Sequence, residues 1–200
     1  MSIESKKLKW SDLPEASELS QALEQEKYRE RYLKILKSTI STLVVVAAIA
    51  ILTATLWLPV LQIYGNSMTP NLESGDMVVS VSAQKLRQGD VVAFYYNNKV
   101  LVKRVIATEG QWVDIDSQGT VSVDGQKLEE PYLADNEKDL GDTNIQLPYQ
   151  VPEGKFFVMG DHRSASIDSR NTAIGSIGNE QIVGRLVLRV WPLNRIQWVK

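Results

Sequence analysis

The apolar residues of this 200-residue chain form one long run near the N-terminus and many short runs after it. No charged residue occurs between Lys37 and Glu73, and residues 40–61 within that interval read ISTLVVVAAIAILTATLWLPVL. A helix of about 20 apolar residues is long enough to cross the ~30 Å hydrocarbon core of a bilayer. The run therefore predicts one transmembrane helix over residues 38–61, with regular helix ending near Pro59 because proline lacks a backbone N–H.

The charges on either side of this run predict its orientation. The first basic residue after it is Lys85, whereas five basic residues lie just before it: Lys27, Arg29, Arg31, Lys34 and Lys37. Basic residues concentrate on the cytoplasmic side of membrane helices. We therefore expect a single-pass protein of the cell membrane, in contact with the lipid bilayer. Residues 1–37 are expected to be a cytoplasmic tail, with a helix that begins near Ser11–Glu15.

Two other interpretations of the apolar run are open. A core helix of a soluble domain is disfavoured because the run has no polar face and exceeds the usual length of such helices. A cleaved signal peptide is disfavoured because the charged tail before the run is far longer than the basic segment of such a peptide.

From Gln62 onward the apolar residues fall in short runs typical of β-strands. These runs are rich in Val, Ile, Phe and Tyr and are separated by turn residues. They read MVVSVSA, DVVAFYY, KVLVKRVIA, QWVDI, TVSVDG, KFFVMG and IVGRLVLRVW. The pair Asp124-Gly125 predicts a tight hairpin. We expect residues 62–200 to form a mainly β extracytoplasmic domain of coiled antiparallel sheets, with a polar excursion at residues 134–151.

The composition limits the chemistry open to this domain. The chain has 22 basic and 24 acidic residues, and a net charge of -2 argues against a nucleic-acid partner. The lack of cysteine excludes disulfides, thiolate metal sites and a cysteine nucleophile. His162 is the single histidine, which leaves little room for a multi-histidine metal site. Catalysis is therefore expected to depend on Ser, Thr, Lys, Asp or Glu.

Two local patterns could form a catalytic pair. Ser67 lies in GNSMTP, about six residues after the apolar run, so an extended chain keeps it within ~20 Å of the membrane. Lys103 lies in KVLVKRVIA, where strand alternation makes Lys103 and Arg104 point in opposite directions. A lysine among aliphatic side chains loses hydration, which lowers its pKa and lets the neutral amine act as a base.

Each pattern also has an ordinary structural explanation. Ser67 could be a turn serine before the first strand, and Lys103 could be an exposed lysine on an edge strand. A serine hydroxyl needs a base to become a nucleophile, and lysine is a natural candidate in a chain with one histidine. The spacing in sequence does not establish that the two residues meet.

A third cluster, GDHRSASIDSR at residues 160–170, follows the apolar strand KFFVM. It places charged groups and hydroxyls close together, as a solvated loop with local Asp–Arg pairs would also do. His162 could be the base of a Ser-His pair in place of Lys103. A histidine in an ordinary loop is the simpler interpretation.

Together the three clusters resemble bacterial type I signal peptidase, the membrane-bound serine protease that removes signal peptides. GNSMTPNL is similar to the serine box of that family, and SGDMVVS is similar to the strand motif after it. VLVKRVIATEG is similar to the lysine box, and GDHRSASIDSR to the GDNR-x-x-S-x-DSR box. The resemblance extends from the apolar run to the C-terminus, and the order and spacing of the motifs make it more specific than any one of them.

The resemblance implies a fold dominated by β-sheet, the signal-peptidase and LexA-like β fold, and it implies roles for named residues. Ser67 would be the nucleophile and Lys103 the general base, with Ser166 hydrogen-bonded to the Lys103 amine. Asp168 and Arg170 would form a structural ion pair beside the site. The pocket for the small residue before the cleavage site would be lined by Ile63, Met68, Leu72 and Leu101.

The implied reaction is hydrolysis of one peptide bond in secretory preproteins, after small residues in an A-x-A-like pattern, and it requires no metal or cofactor. Two positions depart from the family's pattern. His162 stands where the family has Asn, and Gly65 stands where some members have an oxyanion-binding Ser, so the second oxyanion donor is unassigned. Two alternatives stay open: a related Ser-Lys processing peptidase with one dedicated substrate, and a non-catalytic membrane-tethered β-domain.

Overall fold

The chain divides into a helical unit that ends at Ala54 and a β-rich unit that begins at Thr55. The computed structural model describes residues 16–57, 59–82, 85–134 and 138–199. The predicted helix start at Ser11–Glu15 lies outside the described residues.

One continuous helix, α1, covers Ala16–Trp57 and contains most of the predicted apolar run. Its segment Leu19–Thr53 is long and apolar enough to cross a membrane, judged by length and composition. The predicted membrane segment extends too far, to residue 61, whereas the predicted end of regular helix near Pro59 is close to the observed one. Regular helix ends at Trp57 and strand begins at Val60, because the proline between them cannot donate to the helix.

The β-rich unit is built from short antiparallel strands. In chain order these are β1 (Val60–Gln62), β2 (Met77–Val81), β3 (Val91–Tyr96), β4 (Lys99–Thr108), β5 (Trp112–Ile115), β6 (Val121–Val123), β7 (Gln126–Lys127), β8 (Tyr149–Gln150), β9 (Lys155–Met159), β10 (Ile177–Gly178), β11 (Ile182–Trp191) and β12 (Gln197–Trp198). The larger sheet has the order β1-β2-β11-β3-β4-β9-β10, with β12 paired to β11, and the smaller sheet has the order β7-β6-β5-β8. The predicted mainly β, antiparallel fold is confirmed.

Every strand pattern recognised in the sequence contains a strand of this structure, and the additional strands are two or three residues long. The Asp124-Gly125 pair forms the predicted hairpin between β6 and β7, with φ angles of 51° and 76°. The described part of the predicted excursion, residues 138–151, includes β8, where the Tyr149 ring packs against Phe157 of β9 with ring centroids 5.7 Å apart. This contact ties the end of the polar excursion to the larger sheet.

One apolar cluster fixes the loop that carries Ser67 to the larger sheet. The cluster consists of Ile63, Met68, Leu72, Val78, Val91 and Leu186. It joins loop residues on both sides of Ser67 to β2, β3 and β11, so their burial holds the loop in place. β4 lies between β3 and β9, which places Lys103 in the interior of the same sheet.

Candidate active site

β4 places Lys103 where water is largely excluded. Lys103 is opposite Val92 of β3, and only 3% of its surface is exposed. The interpretation of Lys103 as an exposed edge-strand lysine is therefore wrong. A buried amine needs a polar partner, because an unpaired one would lose its hydrogen bonds to water without replacement.

Ser67 lies in a tight turn that runs from Asn66 to Thr69. The Thr69 N–H donates to the Asn66 carbonyl at 3.1 Å, and the Thr69 hydroxyl donates to the same oxygen at 2.9 Å. Gly65 precedes the turn with a φ of +86°, a left-handed backbone that glycine adopts without strain. The turn, together with the apolar cluster under it, determines where the Ser67 hydroxyl is presented.

The fold brings Ser67 and Lys103 together across 36 residues of sequence. Lys103 Nζ lies 2.6 Å from Ser67 Oγ, a distance at which the two atoms share a hydrogen bond. Burial lowers the pKa of Lys103 from 10.5 to about 8, although Asp168 opposes this effect by raising the pKa. Arg170 lowers the pKa further, and Asp161 raises it. More of the amine is therefore neutral near pH 7 than in an exposed lysine, and a neutral amine can accept the hydroxyl proton.

The 160–170 cluster packs next to this pair as a buried polar network. Asp168 accepts hydrogen bonds from Arg170 Nε and Nη2 at 2.8 and 2.9 Å, so the expected ion pair is present. Asp168 also accepts from the Gly160 N–H at 2.9 Å. A Cβ on residue 160 would lie only 2.6 Å from the Ser67 carbonyl oxygen, which is why glycine is needed there.

In the described part of the chain, Ser166 does not make the hydrogen bond to Lys103 that the resemblance implies. Its hydroxyl donates to Asp168 Oδ2 at 2.7 Å, while the Lys103 amine contacts Ser67. A hydroxyl has one proton, and a buried carboxylate attracts that proton strongly. Asp168, which accepts this hydrogen bond, is also the group whose charge raises the pKa of Lys103.

His162 contacts the turn of Ser67 through its backbone and through its ring. The His162 backbone N–H donates to the Ser67 carbonyl at 3.1 Å, and His162 Nδ1 lies 2.9 Å from Thr69 Oγ1. The Ser67 hydroxyl is paired with Lys103 instead. The geometry thus favours Lys103 over His162 as the partner of the serine.

An apolar cavity of about 470 Å³ opens beside Ser67 and Lys103. Its lining includes three of the four residues expected in the pocket: Ile63, Met68 and Leu101. Leu72 does not line this cavity, and like Ile63 and Met68 it belongs to the apolar cluster under the loop, so its part in the pocket stays a prediction. Leu72 borders a different cavity, together with Gln197 and Trp198.

The contacts of Arg104 were not foreseen from the sequence. Arg104 is 1% exposed and forms a two-pronged ion pair with Asp161, with Nε–Oδ1 and Nη2–Oδ2 distances of 2.8 and 2.7 Å. Its guanidinium carbon lies 4.0 Å from the centroid of the Tyr132 ring. Asn71 also donates to Asp161 at 2.8 Å, so this pair links β4 to the serine loop. Strand alternation was a usable signal, since it places Lys103 and Arg104 on opposite faces, where each buried cation needs a polar partner.

Other buried charges near the site are also paired with each other. Arg163 pairs with Glu130, and Arg189 pairs with Asp76 at 2.9 Å. Arg189 also donates to the Asn71 carbonyl at 3.0 Å and so holds the far end of the serine loop. Among the residues that the structure describes, no three His, Cys, Asp or Glu side chains are grouped to hold a metal ion.

This chain is similar to several known proteins. A crystal structure of a signal peptidase I from Enterococcus faecalis V583 covers 52% of this chain and 99% of that chain, at 29% identity and a TM-score of 0.43. Signal peptidase I T of Bacillus subtilis strain 168 is 35% identical over 147 residues, which cover 68% of this chain and 75% of that protein. Signal peptidase IB of Staphylococcus aureus strain MRSA252 is 38% identical over 154 residues, which cover 68% of this chain and 79% of that protein. The family described as "Signal peptidase, peptidase S26" matches residues 36–191, and this chain therefore belongs to the signal peptidase family.

Proposed function

We propose that this chain is a type I signal peptidase in which Ser67 is the nucleophile and Lys103 is the general base. Membership of the family makes the chain a serine endopeptidase and argues against a non-catalytic β-domain. The observation that carries the assignment of the two residues is the 2.6 Å contact between Lys103 Nζ and Ser67 Oγ. The substrates are secretory preproteins, cut at the outer face of the cell membrane.

The first half of the reaction transfers the signal peptide to the enzyme. Neutral Lys103 takes the proton from Ser67 Oγ as that oxygen attacks the carbonyl carbon of the scissile peptide bond. The tetrahedral intermediate collapses, the C–N bond breaks, and the Lys103 ammonium gives its proton to the leaving amine. This half releases the mature protein and leaves the signal peptide as an ester on Ser67.

The second half releases the signal peptide. Lys103, neutral again, takes a proton from a water molecule as the water oxygen attacks the ester carbonyl. Lys103 then returns that proton to Ser67 Oγ, and the signal peptide leaves as a carboxylic acid. A pKa of about 8 suits both steps, because the amine can accept a proton and its conjugate acid can donate one near neutral pH.

The Ser67 backbone N–H is a suitable donor for the oxyanion. Within the described residues, no acceptor takes a hydrogen bond from this N–H. The negative oxygen of the tetrahedral intermediate forms next to it, because Ser67 Oγ is the attacking atom. Each such donor is worth about 2.7–4 kcal/mol of transition-state stabilisation in a serine protease.

The cavity and α1 support the choice of substrate. The apolar space lined by Ile63, Met68 and Leu101 supports binding of apolar side chains beside the scissile bond, and the restriction to small ones is what the family resemblance implies. Anchoring by α1 in the lipid bilayer, with the N-terminus in the cytoplasm, keeps the enzyme close to membrane-bound preproteins and raises their effective concentration. Nucleic acid has no role in this proposal.

The test is cleavage by the full-length chain in detergent of a panel of unrelated preproteins. Ser67→Ala and Lys103→Ala are expected to remove nearly all turnover. Ser117→Ala and Lys127→Ala are matched controls, because both residues are exposed, and they are expected to keep it. Circular dichroism checks that each variant is folded.

The outcomes separate the remaining alternatives. Cleavage of most of the panel supports the general signal peptidase, whereas cleavage of one substrate alone indicates a dedicated processing peptidase. Turnover near the wild-type level in Ser67→Ala or Lys103→Ala would refute the pair. Loss of activity in His162→Ala, with Lys103→Ala active, would assign the base to His162.

A further inference from the structure

His162 holds the turn of the nucleophile at two points. Its backbone N–H donates to the carbonyl of Ser67, and its ring nitrogen Nδ1 lies 2.9 Å from Thr69 Oγ1. The two contacts lie at Ser67 itself and two residues after it. A change in the position of His162 would therefore move the backbone that presents the Ser67 hydroxyl.

The direction of the side-chain hydrogen bond between His162 and Thr69 depends on where the Thr69 hydroxyl proton goes. The Thr69 hydroxyl has one proton, and the Asn66 carbonyl, 2.9 Å away, can only accept a hydrogen bond. Once that proton is given to Asn66, the oxygen of Thr69 can only accept from His162. We therefore assign the proton to Nδ1 of His162, which gives a chain of hydrogen bonds from the ring through Thr69 to Asn66.

We infer that His162 is a positioning residue, which keeps the Asn66–Thr69 turn in the conformation that points Ser67 Oγ at Lys103. This inference rests on Ser67 being the nucleophile, as proposed above. The ring acts through Thr69 and does not take the proton of Ser67, because that hydroxyl already contacts Lys103 at 2.6 Å. The chain's one histidine thus serves the reaction by fixing geometry.

Four variants of the full-length enzyme test this hydrogen bond from both of its ends. His162→Leu removes the donor, whereas His162→Asn keeps one, because the amide nitrogen of Asn branches from Cγ as Nδ1 does. Thr69→Val removes the hydroxyl at nearly constant shape, and Thr69→Ser keeps it. None of these changes removes the backbone hydrogen bond from residue 162 to Ser67.

The expected result is a fall in kcat with little change in KM. His162→Leu and Thr69→Val should each lower kcat about three- to tenfold, as expected for a lost neutral hydrogen bond. The double variant, His162→Leu with Thr69→Val, should have about the kcat of the slower single variant, since both changes break the same hydrogen bond. His162→Asn and Thr69→Ser should stay within about twofold of the wild type. Each rate is divided by the concentration of enzyme whose Ser67 is labelled by a serine-directed inhibitor. Unfolded enzyme is not labelled and therefore does not affect the result.

Three outcomes would overturn the inference. The first is a normal kcat in His162→Leu. The second is a double variant whose loss is the product of the two single losses, which would show that the residues act independently. The third is a kcat of His162→Asn as low as that of His162→Leu, which would show that the size of the His162 ring matters and its hydrogen bond does not. An active Ser67→Ala enzyme would instead refute the proposed function, so the two failures are distinguishable.

Discussion

Lys103→Met is predicted to make the protein more stable and inactive at neutral pH. Lys103 is 3% exposed, and burial lowers its pKa to about 8. At pH 7 most of the folded molecules therefore hold a charged ammonium in a place that disfavours charge. Methionine is similarly long and unbranched but carries no charge, so it fills the same space without that cost.

The size of the effect follows from the two pKa values. One pH unit of difference in pKa corresponds to about 1.4 kcal/mol, so a pKa of about 8 against 10.5 in the unfolded chain corresponds to about 3 kcal/mol at pH 7. Lys103→Met also loses the hydrogen bond to Ser67, which lowers its stability by about 1 kcal/mol. The net gain in the free energy of unfolding is expected to be about 2 kcal/mol at pH 7.

The gain should depend on pH in one direction. The folded chain releases the Lys103 proton near pH 8 and the unfolded chain near pH 10.5, so the unfolded chain binds more protons between these values. The wild type therefore becomes more stable relative to Lys103→Met as the pH rises from 8 to 10.5. Above pH 10.5 the advantage of methionine should be gone.

The assay is urea unfolding of full-length enzyme in detergent, followed by tryptophan fluorescence at pH 7, 9 and 10.5. Lys127→Met is the matched control, because Lys127 is exposed and its replacement should change stability little at any of these pH values. A Lys103→Met variant that is no more stable than the wild type at pH 7 would refute the reasoning. So would a gain that does not shrink as the pH rises.

Three further predictions concern the same site. Turnover should rise about tenfold per pH unit below pH 8 and then level off, because Lys103 must be neutral to accept the proton of Ser67; a pH–rate profile measures this. Gly160→Ala should lower both stability and kcat, because its Cβ would lie 2.6 Å from the Ser67 carbonyl oxygen, and thermal unfolding with an activity assay checks it. Asp168→Ala should cost about 3–5 kcal/mol in urea unfolding, because it leaves Arg170 charged and buried without a carboxylate.

Each of these expectations has a clear contrary result. A flat pH–rate profile between pH 6 and 8 would mean that Lys103 is not the group that must lose a proton. Wild-type kcat in Gly160→Ala would show that residue 160 does not set the position of the serine. An Asp168→Ala variant with the same free energy of unfolding as the wild type would show that the buried pair with Arg170 contributes nothing to stability.

The strands that could be predicted are those with enough residues to carry a pattern. β3 and β4 are long, rich in β-branched and aromatic residues, and bounded by the turn at Asn97 and Asn98, so sequence alone locates them. β7, β8, β10 and β12 have two residues each, and such pairs form only because a neighbouring strand is already in place. The predicted membrane segment ran on to residue 61 for a similar reason, since Val60 is as apolar as the helix and joins β2 by pairing.

The chemistry of the site was easier to predict than its contacts. Ser67 and Lys103 could be selected because the sequences around them resemble the serine box and the lysine box of the signal peptidases. Their 2.6 Å contact depends on the placement of β4 between two strands and on the packing of the serine loop, and spacing encodes neither. The partner of Ser166 was mispredicted because one hydroxyl proton can reach several acceptors, and Asp168 takes it only in the folded geometry.

The buried arginines determine which sequence changes this site can tolerate. In the described residues four of them are paired with an acid: Arg104 with Asp161, Arg163 with Glu130, Arg170 with Asp168 and Arg189 with Asp76. Replacement of one partner leaves an unpaired charge in the interior and lowers stability. Replacement of both partners by apolar residues of similar volume can leave stability unchanged. Homologous chains should therefore show covariation between positions 104 and 161. Where the arginine at position 104 is replaced, the aspartate at position 161 should be replaced as well.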